Sequence, residues 1–339
     1  MSDLLAKPQH PLIAWGKIGR VRWFQQAKWL YEPVAIILVT FFSLLFGQIL
    51  SLPIQLSLAG SLSDEIAALG TETSAINELF MGSLFADPQL LAGLTILSFL
   101  GMHIVVWLWI WLMENRSWWT IGLPFRAIGG WQVALFQYGR GLLIGFGLQM
   151  ATVGILALLG MISFETPFSG FSGLVLFNVV LLFVSFIIQG AAEEVLTRGF
   201  IFQVVGRKYG VWLAVIVSSL IFALLHLGNP NIGPIAVINL FLAGLLFALY
   251  ALNEGTIWGA CAVHSIWNWT MGNLLGLEVS GMEFAADTGS LIDLQETGPD
   301  LITGGAFGPE GGLVVLTLLV LTCGYLIYNY VRHPILTIK

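Results

Sequence analysis

The stretch QGAAEEVLTRGF, residues 189–200, sets two adjacent glutamates and an arginine in a chain that is 57% hydrophobic and only 9% charged. Soluble proteins carry about 25% charged residues, and an ionisable side chain in apolar surroundings is costly and usually kept for a function. On a helix, Glu194 and Arg198 share one face and can neutralise each other. Glu193 lies about 100° round the helix, so it faces elsewhere and its charge is left over. Two further pairs repeat the spacing: Phe222 with His226, and His264 with Asn268. A carboxylate can take a proton from water, an imidazole can share or return it, and a carboxamide can donate to a developing oxyanion. Any one of these residues alone reads as a hydrogen bond between helices; together they are a hydrolytic set. Glu193, His226 and His264 are also the types found in a zinc site with an open position, although asparagine is a poor zinc ligand. On the residues alone, one zinc and no cofactor are both open.

These residues must be carried by membrane-spanning helices. Apolar runs long enough to cross a bilayer, about 20 residues, recur down the chain, so the fold class is all-α: a polytopic transmembrane bundle enclosing one polar cavity. Eight spans are expected, at about 34–58, 90–113, 142–163, 174–204, 211–227, 234–252, 257–275 and 312–331. The fifth and seventh are short and polar, which suits the bundle interior. The chain then divides into a basic, aromatic segment (1–33), three N-terminal spans with an acidic loop (34–173), a core (174–275), a second acidic loop (276–311) and a last span with its tail (312–339).

Lysine and arginine placement gives the orientation. Lys7, Lys17, Arg20, Arg22, Lys28, Arg116, Arg126, Arg207, Lys208, Arg332 and Lys339 fall on one side, and Arg140 sits at the mouth of the third span. Loops 59–88, 164–173, 228–233 and 276–311 contain no lysine or arginine. Both termini are therefore expected in the cytoplasm, in the plasma or inner membrane if the source is bacterial. Segment 13–30 mixes Trp15, Val21, Trp23, Phe24 and Trp29 with basic residues and should lie on the inner membrane surface. Loop 276–311, rich in glycine and acid, is expected to be poorly ordered. Cys261 and Cys323 fall in spans and read as buried thiols. No cleavable signal is expected, because the first apolar run is too long. Membrane lipid and a peptide or protein are the expected partners; nucleic acid is not.

Depth poses a difficulty. At 1.5 Å per residue, Glu193 would lie roughly 15–20 Å from the inner face, His264 about 10 Å and His226 roughly 25 Å. Convergence would require the fifth span to tilt or start late, or the turn at 228–234 to dip inward.

Three motifs in sequence order carry a resemblance. EEVLTR (193–198) fits EExxxR, FALLH (222–226) fits FxxxH, and HSIWN (264–268) fits HxxxN. Together they resemble the CPBP intramembrane proteases, which include type II CAAX prenyl endopeptidases and bacterial proteins linked to bacteriocin processing or immunity. The resemblance covers about residues 174–275. It implies an endopeptidase in which Glu193 activates water, His226 is the proton partner, and His264 and Asn268 steady the tetrahedral intermediate. Glu194, Arg198 and Phe222 become orienting residues. The family is often labelled as metalloproteases, which keeps zinc on Glu193, His226 and His264 in view, and its CAAX members act on prenylated tails. A rival peptidase reading takes GFSG (170–173) as a rhomboid-like box, with Ser172 as nucleophile and His264 as base; Ser172 lies at the outer edge, too far from His264. Outside enzymes, a transporter with a helix break at Gly190 and a scaffold or immunity protein are the alternatives. His103 has no assigned role.

Overall fold

A computed structural model describes residues 10–16, 30–166, 172–284 and 288–335. In chain order the helices are α1 (Pro11–Gly16), α2 (Tyr31–Ser61), α3 (Ser63–Leu69), α4 (Thr73–Ala86), α5 (Pro88–Leu112) and α6 (Trp131–Leu158). Strand β1 (Ile162–Thr166) precedes α7 (Gly173–Glu194), which runs through a π-helical turn (Val195–Ile201) into α8 (Phe202–Tyr209). Then come α9 (Val211–Leu225), α10 (Pro234–Glu254), α11 (Trp258–Trp269) with a second π turn (Thr270–Leu274), strand β2 (Asp293–Glu296) and α12 (Leu313–Arg332).

Local chemistry sets the boundaries. Asp87 caps α5, its carboxylate accepting from the amides of Gln89 and Leu90, with Pro88 at the first helical position. Pro234 opens α10 and Gly255, at φ 81°, closes it. Large apolar side chains cover the outside, with Leu143 75% and Leu158 89% exposed, as suits a wall facing lipid tails.

Among the described residues, six helices are long and apolar enough to cross a membrane: α2, α5, α6, the continuous Gly173–Tyr209 helix, α10 and α12. The sequence suggested eight. The two that fall short are α9, with 15 residues, and α11, with 12 before its π turn. Both stop where a polar residue is needed inside, since His226 caps α9 and Asn268 stands next to the end of α11. The molecule is a multi-pass helical membrane protein.

Glycines let the helices approach. A Cβ on Gly101 would sit 2.7 Å from the Cα of Gly47, which fastens α5 to α2. Gly141 and Gly145 of α6 lie against the backbone of Gly259 and Val263 on α11, and Gly190 of α7 lies against Ser265. Such contacts are the usual basis of helix association in lipid.

Three further expectations need correction. The third membrane helix starts at Trp131, so Arg140 is inside it and pairs with Glu254 at 2.9 Å instead of marking a mouth. Segment 59–88 is mostly helical, as α3 and α4. The described part of loop 276–311 is built rather than loose. Its β2 pairs antiparallel with β1, the side chain of Asn273 donates to the carbonyls of Phe284 and Gly289, and Asn229 donates to the carbonyl of Ser280. Of the segment expected on the membrane surface, residues 17–29 lie outside the described residues. Helix α1 is buried against α8, with Leu12 and Ile13 sealed.

Candidate active site

The depth difficulty dissolves in the helix lengths. The helix carrying Glu193 does not end near residue 204 but continues to Tyr209, where the Gly210 turn reverses it into α9. Glu193 is then 17 residues before that turn and His226 is 16 after it, so they stand level, each about 25 Å along its helix. His264 reaches the same level differently. The turn that starts α11 is tucked inside the bundle: Ile257 is fully buried, its amide donates to the carbonyl of Gly122, and its side chain borders Gly199.

EEVLTR straddles the junction of α7 with the π turn. π turns of this kind occur often at functional sites. Arg198 and Glu194 are both fully buried and pair at 2.9 Å. The guanidinium also donates to the carbonyl of Gly244 at 2.6 Å, and stands over the rings of Phe222 and Phe247 at 4.9 and 5.4 Å. Phe222 thus touches the site through Arg198, and through His264, whose ring meets it edge-on.

Both imidazoles are oriented through Nδ1. His226 Nδ1 lies 2.8 Å from the carbonyl of Phe222; a carbonyl only accepts, so that nitrogen carries hydrogen and Nε2 points away. His264 Nδ1 lies 3.1 Å from Glu194 Oε1, and its ring stacks on Phe247. Each Nε2 stands 3.8 Å from one atom, Glu193 Oε2. Glu193 Oε1 accepts from Gln189 at 2.5 Å. Oε2 is buried with no hydrogen-bond partner among the described residues. A separation of 3.8 Å exceeds a direct hydrogen bond and leaves room for one small donor between the three.

Asn268 lines the same cavity, and its amide donates to Gln189 Oε1 at 3.1 Å. The expected site residues therefore meet, but Asn268 is linked to Glu193 through Gln189. That glutamine was legible only as a residue four before Glu193, and Phe247 carried no signal in the sequence. Ser172 stands apart. It is exposed, outside the cavity wall, and its hydroxyl caps α7 by accepting from the amide of Val175. The rhomboid-like pairing with His264 is absent. His103 Nε2 meets the carbonyl of Ile188 and ties α5 to α7. Cys261 and Cys323 are free and buried.

The donor types suit zinc: one carboxylate and two imidazoles, one of them backed by a second carboxylate. The spacing does not. Ligands 2.0–2.1 Å from a tetrahedral ion stand about 3.3 Å apart, against 3.8 Å from Glu193 to each imidazole. Among the described residues no group of three such side chains meets metal-holding geometry.

The surrounding cavity, about 370 Å³, is walled chiefly by apolar side chains from α2, α4, α5 and α10. Fold and site define a multi-pass membrane protein with a carboxylate and two imidazoles in its interior. Residues 175–270 match the family model described as Rce1-like, type II CAAX prenyl endopeptidase Rce1-like. The match spans all three motifs, supports the resemblance to CPBP proteases, and points to a CAAX-protease-like peptidase. No curated protein and no solved structure matches the chain.

Proposed function

We propose that the protein is an intramembrane endopeptidase in which Glu193 is the general base. The observation that carries this reading is the convergence of two imidazole Nε2 atoms on the unpartnered Oε2 of Glu193, at 3.8 Å each. Water bound between them gives one hydrogen to Glu193 and the other to His226, whose Nε2 can only accept while Nδ1–H rests on Phe222. As the water oxygen attacks the scissile carbonyl, Glu193 takes its proton and later passes it to the leaving amine. The carboxylate is restored, and water has been divided between the two products.

His264, its Nδ1 held by Glu194, turns Nε2 to the same space, where it steadies the oxyanion. Asn268 borders the same space and keeps Gln189, and through it Glu193, in place. The apolar wall suits a substrate arriving from the bilayer; a peptide, prenylated or not, is the substrate class. We place both termini on the cytoplasmic side, which is supported by the sorting of lysine and arginine between the loops.

The test is cleavage of a panel of prenylated and plain apolar peptides by purified protein, with zinc quantified in the same samples. The mechanism predicts cleavage by wild type and Ser172→Ala, none by Glu193→Gln, and no stoichiometric zinc. Cleavage that survives Glu193→Gln and falls with Ser172→Ala would overturn it.

A further inference from the structure

Loop 276–311 returns a second carboxylate to the cavity. Glu310 lines it together with Glu193, and the contacts that hold it are unusually complete. Its Oε1 accepts from the indole of Trp267 at 2.8 Å; its Oε2 accepts from the amide and hydroxyl of Ser280 at 2.9 and 2.6 Å. Asn239 fixes the backbone by donating to the carbonyls of Glu310 and Gly312. Trp267 lies on α11 between His264 and Asn268, so the carboxylate is tied to the element that carries the site.

All three donors to Glu310 are neutral. The cavity wall contains no lysine or arginine, and no ion pair involving Glu310 occurs among the described residues. A carboxylate has about four acceptor positions, and three are filled, which leaves one on Oε1. A fixed charge without a counter-ion beside an apolar space is costly, and a cation brought by a ligand would relieve it. Glu310 lies beyond residue 270, where the family match ends.

We propose that Glu310 is a specificity-determining residue that accepts an ammonium or guanidinium group on an apolar peptide segment. The inference rests on the cavity being the peptidase site described above.

Binding can be measured without turnover on Glu193→Gln protein in nanodiscs. The probes are short fluorescent apolar peptides of one parent sequence, scanned with Lys or Ala. The best Lys peptide is expected to bind about tenfold tighter than its Ala parent, a difference of about 1.4 kcal/mol. Adding Glu310→Gln should bring the Lys and Ala peptides within about twofold of each other, a few tenths of a kcal/mol. Glu310→Asp, which keeps the charge, should retain the order. The proposal is overturned if no Lys preference appears on the Glu193→Gln protein, if no peptide binds, or if the preference survives Glu310→Gln. Cleavage of the same peptides by wild-type protein separates the two claims. Glu193-dependent cleavage without a Lys preference removes the specificity of Glu310 alone. A Glu310-dependent Lys preference without Glu193-dependent cleavage upholds the selectivity and removes the hydrolytic reading.

Discussion

Adjacent glutamates in this chain are given opposite tasks by one residue of helical rotation. Glu194 is fully buried, with Arg198 at 2.9 Å and His264 at 3.1 Å on the same oxygen. Removing one partner of a buried pair leaves the other charge uncompensated and costs about 3–5 kcal/mol. Glu194→Gln should therefore lower the melting temperature by many degrees. Glu193→Gln, which replaces a carboxylate whose buried Oε2 has no hydrogen-bond partner among the described residues by a neutral side chain of the same shape, should melt no lower than about a degree or two below wild type, because an uncompensated buried charge is itself costly. A thermal scan in detergent checks both, and equal loss in the two variants would contradict the assignment. The division of labour was legible in the sequence, since i, i+4 spacing pairs Glu194 with Arg198 and leaves Glu193 out. The contact from Glu194 to His264 was not, because spacing gives the face of a helix and not its neighbour. Phe247, stacked on His264, was invisible for the same reason.

At the scale of elements, the site depends on how closely α7 and α11 approach. A Cβ on Gly190 would lie 2.6 Å from Ser265 Oγ and 2.9 Å from Ser265 N. Gly190 is one turn before Glu193, and Ser265 follows His264, so a larger residue there parts the carboxylate from the imidazole. Overpacking of this kind costs about 1–3 kcal/mol, and a displacement of about 1 Å in a catalytic group costs about 100-fold in rate. Gly190→Val should fold and lose cleavage by about that factor; activity within threefold of wild type would contradict the packing argument. The same glycine is what a transporter reading would take as a helix break. Here the helix runs on through it, and the irregularity comes five residues later as the π turn. Element identity was largely readable from apolar runs and turn residues. Element length was not: ending the fourth span near residue 204 raised a false problem of depth, because α8 is amphipathic and carries Arg207 and Lys208.

At the scale of the whole molecule, the two-stranded antiparallel sheet of β1 and β2 joins two loops that the sequence treated as separate and, in one case, loose. Glycine and acid content argued for disorder, while restraints on the described residues of 276–311 come from β1 and from Asn229, far away in sequence, which composition cannot reveal. Burial and the neighbouring Glu278 push Glu296 in β2 up to about 8. A carboxyl raised in the folded state favours folding fully below its ordinary range near 4.5 and loses that contribution as pH rises through 8. Amides of 293–296 should therefore open more readily at pH 9 than at pH 6 after correction for intrinsic exchange. Glu296→Gln should flatten this dependence, and hydrogen exchange by mass spectrometry reads both. Unchanged protection across that range would contradict it.

General-base catalysis by Glu193 is tested most directly by kcat/KM of Glu193→Gln against wild type on any peptide the wild type cleaves. Loss of a general base costs about 100- to 10,000-fold, and kcat/KM is expected to fall in that range or beyond, with the melting temperature preserved. A variant that folds and cleaves within about threefold of wild type, well short of a lost general base, would contradict it.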